Sequence, residues 1–152
     1  MIQAMNNELA FFLYVTNYIE VESKLLFMNV YDALKIRFVK IDKDQTILEI
    51  PITDAILQPA GIIHGGINAF MAEATASIAA KENVSEDKTV LGLSVNTNQI
   101  RSVSLKTGNA LQAVAIPEHR GRTTQVWSVK TYVDGIGKAT TVSTVTLYIK
   151  DK

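Results

Sequence analysis

Between Gly61 and Ala80 a single residue is Asp, Glu, Lys or Arg, and it is Glu73. The stretch reads GIIHGGINAFMAEATASIAA, with His64, Gly65 and Gly66 near its start and Ser77 four residues beyond the acid. A carboxylate in apolar surroundings can act as a nucleophile or a general base. A glycine-flanked helix start presents free backbone N–H groups and the positive end of the dipole. Such donors can stabilise an oxyanion, and glycine lets a substrate carbonyl come close. Each part also has a structural counterpart. Glu73 could be a buried acid satisfied by Ser77 or by a backbone group, and burial alone does not separate the two readings. His64 could serve to start the helix or take a direct part in catalysis. Gly65 and Glu73 are eight residues apart, about 12 Å along a helix at 1.5 Å per residue. The N–H and the carboxylate of one helix therefore cannot both reach one carbonyl carbon. Either a second subunit completes the site or the two residues do not cooperate.

The elements around this stretch must hold it in place. At about 100° per residue, Gly65 to Ala80 puts Ile67, Phe70, Met71, Ala74 and Ile78 on a large apolar face. Opposite stand Ala69, Ala72, Ala76, Ala79 and Ala80, where a surface helix would carry charge. The pattern predicts a helix enclosed nearly all round, its alanines admitting another backbone, with Glu73 and Ser77 together on the flank beside Phe70. Upstream, Leu34–Ile52 alternates apolar and polar residues around Asp42-Lys43-Asp44 and predicts a β-hairpin. Downstream, Thr89–Ile100, Asn109–Glu118, Thr123–Val133 and Lys138–Ile149 read as four strands forming an antiparallel meander. Gly108, Gly121, Gly135 and Gly137 lie in the turns between them. A hairpin, one long helix and four strands make an α+β domain at residues 34–152. Residues 1–33 predict a helical extension, with Asn6 or Asn7 as N-cap and Phe11, Val15, Tyr18 and Ile19 as its apolar stripe.

Composition narrows the function. The 152 residues suit one domain with a single core. Fifteen basic residues balance fifteen acidic ones, which leaves no basic excess for nucleic acid or an anionic membrane. With no cysteine, disulfides, thiolate metal sites and a cysteine nucleophile are excluded. His64 and His119 are the two histidines, and neither sits in a zinc-type spacing, so no metal and no cofactor is expected. The apolar run at Glu8–Val15 has no basic residue before it, and no run reaches the roughly 20 residues of a membrane span. The expectation is a soluble cytoplasmic protein.

The segment QPAGIIHGGINAFMAEATAS, continued through NQIRSVSLKTG and EHRGR, resembles the signature of hotdog-fold acyl-CoA thioesterases of the PaaI-like and 4-hydroxybenzoyl-CoA type. The likeness covers roughly residues 34 to 149. It implies a six-stranded antiparallel sheet wrapped around one long central helix, in homodimers and usually homotetramers. It implies an acyl-CoA substrate and no metal. Position by position, Gln58 matches the residue that contacts the thioester or the attacking water, His64 the signature histidine, and Gly65 the N–H that polarises the carbonyl. Glu73 matches the acid that serves as nucleophile or general base, and Ser77 a Ser/Thr that assists it in some members. Arg101 stands where the family often has Arg before Pro, here followed by Ser102. Arg101, Arg120 and Arg122 are candidates for coenzyme A phosphates, although His119, Arg120 and Arg122 also read as a solvated turn. A non-catalytic acyl-CoA-binding or sensing hotdog protein is the alternative. A hotdog dehydratase is disfavoured because its Asp/His pairing is not visible around the helix.

Overall fold

The computed structural model describes residues 29–152. In chain order these form a short helix α1 (Val30–Ala33), strands β1 (Arg37–Lys40) and β2 (Thr46–Pro51), and a 3-10 turn at Asp54–Ile56. The long helix α2 (Gly65–Lys81) follows, then strands β3 (Lys88–Gln99), β4 (Ala110–Arg120), β5 (Thr124–Val133) and β6 (Ile136–Asp151). The helix expected over residues 1–33, with its Asn6 or Asn7 cap and the stripe from Phe11 to Ile19, lies outside the described residues except for 29–33. Among the described residues, no helix is long and apolar enough to cross a membrane.

All six strands join one antiparallel sheet in the order β1-β2-β4-β5-β6-β3. The expected four-stranded meander is thus only three strands long. β4, β5 and β6 follow one another, while β3 pairs with β6 along the far edge. The chain leaves β2, crosses the sheet as α2, and enters β3 at the edge beyond β6. β4 then returns to the side of β2. Alternation along each strand marks which residues face inward, but it does not say which strands are neighbours.

The helix lies on the sheet and touches β2, β3, β4, β5 and β6. Its alanines favour helix, and its ends are closed. The Asn83 side chain donates to Ala79 O at 2.8 Å, and Lys81 lies in the last turn, where a cation meets the negative end of the dipole. The small side of α2 faces its own sheet: Ala72, Ala76, Ala79 and Ala80 are fully buried, with Met71 and Thr75 beside them. Strand β4 answers with Ala113 and Ala115, also fully buried. Leu48, Ile50, Leu111, Trp127, Val129, Val145 and Leu147 complete the core.

This corrects the helical-wheel reading in one respect. Ile67, Phe70, Glu73, Ser77 and Ile78 are half-buried, not enclosed, because the sheet covers the alanine side and leaves this flank partly open. The alanines are already used by the chain's own sheet, so they are not a surface for pairing subunits.

Candidate active site

The segment before α2 is a tight loop tied to structure on both sides. Leu57 and Ile63 bridge, Gln58 N–H donates to Ile62 O at 2.8 Å, and Gly61 N–H donates to Gln58 O at 2.9 Å. Gly61 has φ of 74°, a left-handed conformation that glycine adopts without penalty. Ile63 N–H then reaches Val103 O at 2.8 Å and His64 N–H reaches Ile56 O at 2.9 Å. The result is to hold the Gln58 side chain beside the helix start.

His64 is the N-cap of α2, in an extended conformation, and its Nδ1 accepts from Gly66 N–H at 2.9 Å. Ile67 N–H turns back to His64 O at 2.9 Å. Gly65 N–H, at the first helical position, is left with no partner among the described residues. On the other side of Gly65, its carbonyl accepts from Gln99 Nε2 at 3.3 Å. The Gln99 Oε1 in turn accepts from Asn68 Nδ2 at 2.7 Å. A cleft of about 210 Å³ opens here, lined by Gln58, Gly65, Asn68, Gln99 and Arg101 among others. The Arg101 guanidinium bonds the carbonyl of Ala139 at its rim.

Glu73 lies two turns along the helix, on the half-open flank. Among the described residues its carboxylate has no hydrogen-bond or ion-pair partner, so neither Ser77 nor a backbone group satisfies it as a structural acid. It packs against Gly92 of β3: a Cβ built there would overlap Glu73 Oε1 and lie 3.0 Å from its Cδ. Ser77, four residues on, borders a second groove of about 290 Å³ with Ile78, Val90 and Lys81. An uncompensated carboxylate and a free N–H donor are thus displayed on one helix, in two separate places.

Residues 60–140 match the family model described as the thioesterase superfamily. A 1,4-dihydroxy-2-naphthoyl-CoA hydrolase of Listeria monocytogenes is 32% identical over 125 residues, which is 82% of this chain and 98% of the relative. The chain belongs to the thioesterase superfamily. Solved thioesterases have the same hotdog arrangement. One from Haemophilus influenzae superposes with a TM-score of 0.75 at 30% identity, covering 84% of this chain and 87% of that one. One from Staphylococcus aureus, a glutamine-to-alanine variant, gives 0.74 at 26% identity, covering 81% and 99%. The Staphylococcus aureus protein is also solved as a glutamate-to-alanine variant.

In this thioesterase the residues singled out from sequence fall into three groups. Gln58, Gly65 and Arg101 come together at the cleft, with His64 capping the helix beside it. Glu73 and Ser77 share the flank facing β3. Arg120 and Arg122 lie at the β4–β5 turn and do not line the cleft. Arg120 pairs with Asp44 at 2.6 Å and sits 6.0 Å from the Trp127 ring centroid, so its charge already has partners. Three residues of the site went unread in the sequence: Asn68, Gln99 and Gly92. Asn68 and Gln99 are 31 positions apart, and no local pattern connects them. Gly92 did carry a signal, since glycine inside a strand often marks a close approach.

Gly92 yields a direct prediction. In Gly92→Ala the added methyl must displace the far end of the Glu73 side chain, which is flexible, so stability should change little. If the carboxylate does chemistry, its position matters far more, and misplacement by about 1 Å is expected to cost up to ~10²-fold in rate. Steady-state kinetics beside a melting curve checks this. Full activity at unchanged stability would detach Glu73 from the reaction.

Proposed function

We infer that the protein hydrolyses an acyl-CoA thioester to the free acid and coenzyme A within residues 34–152. The Glu73 carboxylate acts as nucleophile or as general base on water. The Gly65 N–H receives the carbonyl oxygen as it gains charge, and the Gln58 amide orients the thioester or the water. Water supplies the oxygen of the new acid, the C–S bond breaks, and the coenzyme A sulfur leaves and gains a proton. The observation that carries this reading is the unpartnered Glu73 carboxylate, kept in place by a missing Cβ at Gly92. A half-buried carboxylate that answers to no structural partner, on a helix otherwise made of apolar and small residues, is available for chemistry.

Two further points support the assignment. The glutamate and glutamine replaced in the Staphylococcus aureus thioesterase stand fifteen positions apart, as do Gln58 and Glu73 here. The Listeria monocytogenes relative and one of Escherichia coli are named for 1,4-dihydroxy-2-naphthoyl-CoA, which points to an aromatic acyl group. The site is shared between subunits in this reading, because one helix cannot bring its own Gly65 and Glu73 to one carbon. The edge strand β3 supports pairing: it is 12 residues long, one side of its backbone ladder has no neighbouring strand among the described residues, and Leu91 and Leu93 are exposed on it.

The purified protein, assayed by thiol release against naphthoyl-, benzoyl-, phenylacetyl-, acetyl- and palmitoyl-CoA, should show its highest kcat/KM with an aryl thioester. Preference for a straight-chain acyl group would overturn the aromatic assignment. Binding without turnover of every thioester would favour the acyl-CoA-binding alternative.

A further inference from the structure

Gln99 is exposed at the end of β3 and its side chain lines the cleft. A primary amide has two N–H donors and one carbonyl acceptor. The hydrogen bonds around it fix which end is which. Nε2 donates to Gly65 O at 3.3 Å, and Oε1 accepts from Asn68 Nδ2 at 2.7 Å. Turning the amide over would set Oε1 against the Gly65 carbonyl, acceptor against acceptor. Asn68 is more than nine-tenths buried, at 6% exposure, and by giving its Nδ2 to Gln99 it leaves its own Oδ1 buried without a partner. No other buried side-chain nitrogen or oxygen among the described residues is left so. Unsatisfied buried groups are costly and cluster where function demands them. Here the demand is that Gln99 face Nε2 toward Gly65.

One hydrogen on Nε2 is spent on Gly65 O. The other has no partner among the described residues. Its distance from the neighbouring donor can be bounded. A Cβ on Gly65 would lie 3.3 Å from Gln99 Nε2, and such a Cβ is about 2.5 Å from its own nitrogen by standard covalent geometry. The two nitrogens are therefore at most about 5.8 Å apart. Two N–H donors that share one oxygen at about 2.9 Å each can be separated by up to the same distance.

We propose that Gln99 is a second carbonyl-polarising donor of the site, its free Nε2 hydrogen meeting the thioester oxygen that the Gly65 N–H also meets, with Asn68 as the positioning residue that fixes the amide's sense. This rests on the reading in which Gly65 N–H receives the carbonyl oxygen. A tetrahedral oxyanion can accept more than one hydrogen bond, and the helix start by itself leaves one donor, the Gly65 N–H.

The test uses the full chain and 2-naphthoyl-CoA, or whichever thioester it turns over fastest. Gln99→Met keeps the length and removes both donors. Because an oxyanion donor acts chiefly on the transition state, kcat should fall about 10²-fold with KM within about twofold of wild type. Asn68→Leu frees the amide to turn and should lower kcat about tenfold. The double variant should be no slower than Gln99→Met alone, since Asn68 acts only through Gln99. If Gln99→Met does not fold, Gln99→Glu, which puts an acceptor where the donor was, is measured in its place with the same kcat loss expected. Retention of more than a third of wild-type kcat, a loss confined to KM, or additive losses in the double variant would overturn the proposal. Gly65→Pro, run alongside, separates the two readings. If it abolishes turnover while Gln99→Met does not, only the Gln99 assignment fails. If Gly65→Pro itself stays active, the Gly65 reading fails with it.

Discussion

Glu73→Gln should lower kcat at least ~10²-fold and leave the folded protein intact. The substitution is isosteric, and glutamine and glutamate have nearly equal helix propensity. No hydrogen bond or ion pair to Glu73 exists among the described residues, so none is broken. The space beside Gly92 that admits the carboxylate admits the amide equally. Partly exposed substitutions that break no contact usually stay within about 0.5 kcal/mol, and the melting temperature should hardly move. What disappears is the ability to take a proton or attack a carbonyl carbon. The contrast between an unchanged melting curve and a collapsed rate is the result that identifies a reacting group. A variant that keeps more than a tenth of wild-type kcat would remove Glu73 from the chemistry. Glu73→Gln and Gly92→Ala probe the same carboxylate by different routes, one removing the base and the other moving it. Loss in both, at full stability, would tie the effect to where the charge sits.

Much of this could be read along the chain because the informative patterns are local. The helix start at Gly65 is written in His64-Gly65-Gly66, and the cap that forms there uses the side chain of His64 on the N–H of Gly66. The strands are written in alternation: Gln125, Trp127, Val129 and Thr131 of β5 face inward at every second position. What could not be read depends on which elements meet. The wheel expects α2 to be enclosed nearly all round, its bulky face included, since bulky residues bury more apolar area. The sheet instead presents Ala113 and Ala115, and small residues on both partners let helix and sheet approach closely. The placement of β3 beyond β6, and hence Gly92 beside Glu73 and Gln99 beside Gly65, follows from strand pairing that a single sequence does not display. Gly65 and Glu73 are visible because they lie on one helix, and Gln58 enters through the family resemblance of the loop before it. Asn68 and Gln99 are joined only by the fold.

The shared site leads to a complementation result. One protein carries Glu73→Ala and lacks the carboxylate. Another carries Gly65→Pro and lacks the N–H donor. The structure favours folding of this second variant, whose defect includes any shift of the Gln99 amide beside it. Gly65 is the first residue of α2, the helical position where proline is best tolerated. His64 before it has φ of −64° and ψ of 131°, the extended conformation that a residue preceding proline prefers. The nearest obstacle to a new side chain is the Gln99 amide, 3.3 Å from where a Cβ would lie, and Gln99 is an exposed residue with room to give way. Each protein alone should be nearly inactive. Co-expressed or refolded together, they should form mixed dimers in which one site draws its intact Glu73 from one chain and its intact Gly65 from the other. The second site of the same dimer inherits both defects. Random mixing makes about half the dimers mixed, so activity should return to about a quarter of wild type if the dimer is a symmetric two-site unit. Sites contained within one chain could not be restored by mixing, since every chain in the mixture is defective. Mixed dimers verified by mass spectrometry and still inactive would rule out the shared site, and the 12 Å or so between Gly65 and Glu73 along the helix would then mean that the two residues do not serve one reaction.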